Sequence, residues 1–197
     1  MGGGLLFVCH ANLCRSPMAE YIARELLAEH LPADVGSLPV LSAGTHAVPG
    51  HPMHPHAAKL AVERSMDPAP FRSRPVTAEV LAQAGVILTA TREQRTACVA
   101  LAPGTVRRTF TLRQFSRLVT AATEHGWRAV ETDGPPTERL RDLVSTAGRA
   151  RALVQPAPPV ADDLPDPLGE PLAEFRLCAN QIEQALRPIA AVIARSC

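Results

Sequence analysis

No stretch of this sequence approaches the roughly 18 consecutive apolar residues that a membrane-spanning helix needs. The first apolar run, Leu5-Leu6-Phe7-Val8, is too short for a signal peptide and lacks a basic flank. No membrane span and a cytoplasmic location are therefore expected. An excess of either charge is also missing: 20 Lys and Arg stand against 19 Asp and Glu, a net charge of +1. Neither a nucleic-acid surface nor an acidic solvating tail is implied. The five cysteines, Cys9, Cys14, Cys98, Cys178 and Cys197, are odd in number and scattered. That excludes a secreted disulfide framework, and no Cys and His pair has zinc-type spacing. What is present is 46% apolar content over 197 residues, enough for one sizeable core and one domain.

The continuous run Leu5–Val8 reads as a strand buried on both faces that runs directly into Cys9. Ser16-Pro17-Met18-Ala19-Glu20 reads as a helix start, with a hydroxyl N-cap, proline at the first helical position and an acid in the first turn; Met18, Ile22 and Leu26 form its buried stripe. A second strand is expected over 39–44, an alanine-rich helix over 54–64, and a third strand over 85–89. Thr91-Arg92-Glu93-Gln94 has the form of a capping box opening another helix. A fourth strand over 106–110 and a short helix over 112–119 follow. Phe175, Ala179, Ile182, Leu186, Ile189 and Ile193 define one face of a long final helix, with Pro188 as a candidate kink. This alternation predicts a single-domain α/β three-layer sandwich with a four-stranded, mainly parallel sheet, binding its ligand beyond the C-terminal strand ends. Between about 120 and 160 the pattern changes. A turn at Asp133-Gly134-Pro135-Pro136, a helix through Leu140, Leu143 and Ala147, and Pro156, Pro158 and Pro159 read as a partly helical insertion packed on the domain's edge.

Cys9-His10-Ala11-Asn12-Leu13-Cys14-Arg15 links that buried strand to a helix N-terminus. Such a loop turns successive amide N–H groups inward and adds the positive end of a helix dipole, a cradle for phosphate that also favours the thiolate form of its first cysteine. Arg15 supplies a planar fork for two phosphate oxygens. Asn12 can adopt a left-handed conformation and tie the loop down, and Ser16 can cap the helix and donate to the thiolate. Phosphoryl transfer to sulfur further needs a proton for the leaving oxygen and a base for water, so a distant acid is required.

The chain resembles the low-molecular-weight protein tyrosine phosphatase family, through Phe7-Val8-Cys9 to Ser16-Pro17-Met18-Ala19-Glu20, Ser42-Ala43-Gly44-Thr45 and Asp163-Leu164-Pro165-Asp166-Pro167, with Phe175 and Ile182 downstream. The resemblance spans most of the chain except the insertion. It implies a cysteinyl-phosphate intermediate on Cys9, Asp166 as general acid and then base, Ser42 supporting Asn12, and no metal or other cofactor. The implied substrate is a phosphorylated protein or a small phosphomonoester. Phe71 in Phe71-Arg72-Ser73-Arg74 stands where the family commonly has a histidine, so a supporting hydrogen bond is expected to be missing. The regions that in the family wall a phosphotyrosine ring read His46-Ala47-Val48-Pro49 and Leu168-Gly169, without Tyr, Trp or Phe.

Two other functions stay open on the sequence. One is a thiol-linked arsenate reductase, for which the comparable downstream region offers only Cys98. The other is a domain that binds phosphoprotein without turnover. Cys14 reads equally as a packing residue and as a reversible disulfide partner shielding Cys9. Cys98 and Cys178 read as packing, Cys197 as a mobile terminal thiol, and His46, His51, His54 and His56 as solvated loop residues, not a metal site.

Overall fold

The computed structural model describes residues 3–31, 38–127, 134–152 and 154–194. Its sheet has four strands, β1 (Leu5–Cys9), β2 (Val40–Gly44), β3 (Val86–Thr89) and β4 (Thr109–Thr111), in the spatial order β2-β1-β3-β4. All three pairings are parallel, with Leu5 opposite both Val40 and Val86, and Ile87 opposite Thr109. Every residue of β1 is buried, as a central strand covered on both faces requires.

Side-chain alternation along β1 splits the core. Leu5, Phe7 and Cys9 join a large cluster with α1 (Arg15–His30), α5 (Leu112–Glu124), α6 (Pro136–Ala150) and α7 (Leu172–Ala194). Leu6 and Val8 face the other way, toward Ala43, Ile87, Leu81 of α3 (Ala78–Gln83) and Cys98 of α4 (Arg92–Leu101). α2 (Pro55–Glu63) closes the near side against α1. The face expected of α7 is buried in full, and the helix runs on through Pro188. Leu140, Leu143 and Ala147 of α6 pack into the large cluster beside α5 and α7.

Several boundaries differ from the sequence reading. α1 begins at Arg15 with Cys14 in the N-cap position and no side-chain cap; Ser16 is thus not the cap, and the first turn contains no acid. The segment Pro103–Arg108 is a 3-10 helix, so β4 is short and starts at Thr109, where the side chain bonds back to Thr105. α5 runs five residues past Val119, because Ala122 continues its buried face. α3 was not foreseen; Thr77 caps it by accepting from the Val80 N–H. At α4 Thr91 accepts from the Gln94 N–H at 3.4 Å, but Gln94 Oε1 has no partner among the described residues, so only half of the capping box forms. Asp133 of the expected turn and Cys197 lie outside the described residues.

Candidate active site

β1 delivers Cys9 to the C-terminal edge of the sheet, between β2 and β3. The chain then turns through residues 10–14 into α1. The main-chain N–H groups of Ala11, Asn12, Leu13 and Cys14 donate to no other group among the described residues, so they are available to an anion at the head of the α1 dipole. The reversal depends on Asn12, fully buried with φ of +56°. Its Nδ2 donates to Ser16 Oγ and Ser42 Oγ, both at 2.9 Å, and its Oδ1 accepts from the Arg74 N–H at 2.9 Å. Ser42 Oγ passes a 2.6 Å hydrogen bond on to Glu20, which Arg24 neutralises at 2.5 Å. Support that Phe71 cannot give through a side-chain hydrogen bond therefore comes from the neighbouring backbone; Phe71 itself is buried edge-on to Tyr21.

Ser16 Oγ lies 3.0 Å from Cys9 Sγ and 3.2 Å from the Ala43 carbonyl, geometry for donating to a thiolate. The rest of the loop is pinned to the β2 side. Thr45 and His46 donate from their N–H groups to the carbonyls of Cys9 and His10, and the His54 N–H donates to Leu13. This close approach is open only to glycine at position 44, where a Cβ would lie 2.6 Å from the His10 carbonyl oxygen and 2.8 Å from the Asn12 nitrogen.

The acid arrives from the β3 side. Leu164 N–H donates to the Ala90 carbonyl at 2.9 Å, and Asp163 accepts from the Arg92 N–H at 2.8 Å. Arg15, buried, reaches across: Nη1 donates to the Leu164 carbonyl at 3.2 Å and Nη2 pairs with Asp166 Oδ2. Arg15 Nε is buried with no partner among the described residues, a donor suited to a phosphate oxygen. Asp166 is exposed enough to meet a substrate, while its Oδ1 accepts from the Leu168 N–H.

Of the residues expected at the site, Cys9, Asn12, Cys14, Arg15, Ser16, Ser42 and Asp166 converge. Ala11 and Leu13 line the loop half-buried, and His10 turns outward to stack on His46 at 4.4 Å. Burial, with negative neighbours at Asp166 and Cys9, pushes the Cys14 thiol up to about 12. Burial also pushes Cys178 to about 12, under the Pro165 carbonyl. Sequence reasoning missed the roles of Glu20, Gly44, Arg74 and the Leu164 carbonyl. Only Gly44 carried a signal, as a glycine ending a strand beside an anion loop. Among the described residues no group of His, Cys, Asp and Glu could hold a metal. His54 instead stacks on Phe175 at 4.7 Å, and burial followed by nearby His56 lowers its pKa.

Fold and site together define a class: α/β proteins with a strand-end cysteine at the base of an anion loop, served by one arginine and one remote carboxylate. Over residues 4–128 the sequence matches the family described as low molecular weight phosphotyrosine protein phosphatase, and the chain belongs to that family. It is 32% identical over 84 residues to the probable low molecular weight protein-tyrosine-phosphatase EpsP of Ralstonia nicotianae, covering 43% of this chain and 52% of that protein. It is 35% identical over 111 residues to the protein-arginine-phosphatase of Geobacillus stearothermophilus, covering 56% of this chain and 70% of that one. The chain thus spans about half the length of relatives such as EpsP. Its fold superposes on the YwlE arginine phosphatase from Geobacillus stearothermophilus with a TM-score of 0.64 at 27% identity, covering 95% of this chain and 90% of that one.

Proposed function

We propose that this protein is a phosphomonoester hydrolase of the protein-tyrosine-phosphatase type that works through a cysteinyl-phosphate. The observation that carries this reading is the convergence of Ser16 Oγ on Cys9 Sγ and of Arg15 on the Asp166 carboxylate, at the mouth of a loop whose amides are unpaired among the described residues. Cys9 Sγ attacks phosphorus as the P–O bond to the leaving group breaks, and protonated Asp166 gives its proton to the departing oxygen. Asp166, now a carboxylate, takes a proton from water as that water's oxygen bonds to phosphorus. The S–P bond breaks, and inorganic phosphate leaves. The guanidinium of Arg15 and the loop amides hold the equatorial oxygens through both steps. Ser16 Oγ–H stabilises the sulfur anion each time it is free.

Arsenate reduction by a cysteine relay fits poorly, because Cys98 packs in the cluster on the opposite face of the sheet from Cys9. The relatives bear the names of tyrosine and arginine phosphatases, so phosphotyrosine, phosphoarginine and small phosphomonoesters form the substrate panel. The buried free thiols Cys9, Cys14, Cys98 and Cys178 suit a reducing, cytoplasmic setting, and among the described residues no helix is long and apolar enough to cross a membrane. The decisive variant is Cys9→Ser, assayed by release of the phenol from an aryl phosphate. Turnover is expected to vanish; undiminished turnover refutes the proposal, and tight phosphopeptide binding without hydrolysis by the unaltered protein would favour a binding domain.

A further inference from the structure

The sheet order places the two walls of the Cys9 mouth on opposite sides of β1. One wall follows β2 and is pinned to the loop by the Thr45, His46 and His54 amides; the other is the acid loop, pinned to Ala90 and Arg92 after β3. Their charges are segregated. The segments on the side of the first wall, residues 9–19, 42–56 and 70–76, hold five of the seven histidines together with Arg15, Arg72 and Arg74 and no Asp or Glu; Glu20 and Glu63, just beyond them, are paired with Arg24 and Arg176, and Asp67 lies between the last two segments. His10, His46, His51 and Arg72 are exposed there, the first two stacked. The opposite wall, residues 162–175, holds Asp162, Asp163, Asp166, Glu170 and Glu174, and not one Lys or Arg.

Pairing sharpens this asymmetry. Asp162 is neutralised by Arg117, Asp163 by Arg92 and Asp166 by Arg15. Glu170 and Glu174 are exposed and have no ion-pair partner among the described residues. Glu170 is held on the rim by a turn, its N–H donating to the Pro167 carbonyl beyond Gly169 at φ +86°. Catalysis on a phosphate accounts for Arg15 and Asp166, but it calls for neither the exposed histidines and Arg72 nor Glu170.

We propose that this polar mouth is a peptide-orienting surface. A phosphorylated segment lies across it with its acidic side on the histidine wall and its basic side on the acid loop, so the enzyme reads the order of charges around the phosphorylated residue. Imidazole and guanidinium N–H groups donate to carboxylates on one side, and the Glu170 carboxylate accepts from Lys or Arg on the other. This rests on the phosphatase reading and deepens it.

The test uses two phosphotyrosine peptides of identical composition, one with Glu-Glu before and Lys-Lys after the phosphorylated residue, the other reversed, so that net charge cannot separate them. Exposed ion pairs of this kind favour one isomer in kcat/KM by about five-fold at low ionic strength, and the ratio falls toward one in high salt as the charges are screened. The triple variant His51→Gln, Arg72→Gln, Glu170→Gln should abolish the preference while turnover of para-nitrophenyl phosphate stays within about two-fold, since among the described residues none of the three side chains is bonded to the nucleophile, Arg15 or Asp166. Equal kcat/KM for the two isomers, or a preference that survives in the triple variant, overturns the proposal. So does failure to hydrolyse either peptide while para-nitrophenyl phosphate is turned over. Failure on all three substrates sinks the phosphatase reading instead.

Discussion

Asn12 is the residue through which sequence, loop shape and chemistry are joined, and two replacements separate its contributions. Its side chain makes three hydrogen bonds, buried ones to Ser16 and Ser42 and a part-buried one from the Arg74 N–H, while its backbone sits at φ +56°. Each such hydrogen bond is worth roughly 1 kcal/mol net, and alanine in the left-handed region costs roughly 1 kcal/mol more than a residue tolerant of it. Asn12→Ala should therefore lose about 4 kcal/mol and Asn12→Gly about 3 kcal/mol, a large part of the roughly 5–15 kcal/mol that holds such a domain folded. At about 2–4 °C per kcal/mol for a chain of this size, Tm falls by about 8–16 °C in the first and about 6–12 °C in the second. Urea unfolding of the three proteins checks the order, and aryl phosphate turnover measured well below each midpoint checks the site. Turnover should fall in both variants, because Ser16, which faces Cys9 Sγ at 3.0 Å, loses the group that positions it. If both variants matched the unaltered protein in stability and rate, the account of this loop as a side-chain-braced cradle would be wrong.

Asp166→Asn should lower turnover of poor leaving groups by about 10²–10⁴-fold and of activated aryl phosphates much less, as expected of an acid. Unfolding should change by no more than about 1 kcal/mol, because the Asp166 end of its ion pair is 43% exposed. Gly44→Ala drives a Cβ against the His10 carbonyl and the Asn12 nitrogen; both are backbone and cannot swing aside, so stability should fall by about 1–3 kcal/mol. Turnover should fall on the order of 100-fold through displacement of the loop, and native-like rates would refute that packing argument. Cys14, Cys98 and Cys178 are each raised by burial from 9.0 to about 12. Between those values the unfolded chain gives up protons that the folded chain keeps, so stability is full below pH 9 and is lost as pH rises toward 12, by up to about 1.4 kcal/mol per pH unit for each thiol. Urea midpoints at pH 8 and pH 10.5 check the slope, which Cys98→Ala should reduce; identical slopes in the two proteins would count against it.

The parts of this protein that are written locally could be read from its sequence. β1, the loop and the start of α1 occupy one continuous stretch, so a run of apolar residues ending in Cys9 and followed by Arg15 was sufficient to locate them. The face of α7 was legible because six apolar residues repeat at helical spacing, and all six are buried. What could not be read depends on distant partners. Ser16 has the composition of an N-cap, yet the loop carries the helix start back to Arg15. Its hydroxyl, now inside the first turn, faces the sulfur and the Ala43 carbonyl, a choice made by β2 and not by its neighbours in sequence. Glu20 reads as a first-turn acid but is buried beneath Ser42, 22 positions away, and pays for its desolvation with Arg24. β4 was displaced because Val106, apolar and β-branched, belongs to a 3-10 turn that leaves it 42% exposed, while Thr109, polar, is wholly buried with its hydroxyl satisfied by Thr105. In each case the side chain's chemistry was visible and its partner was not. The site's supporting residues are drawn from the second group because a loop that must keep its own amides free for an anion has to be held in place by side chains and backbone from elsewhere in the fold.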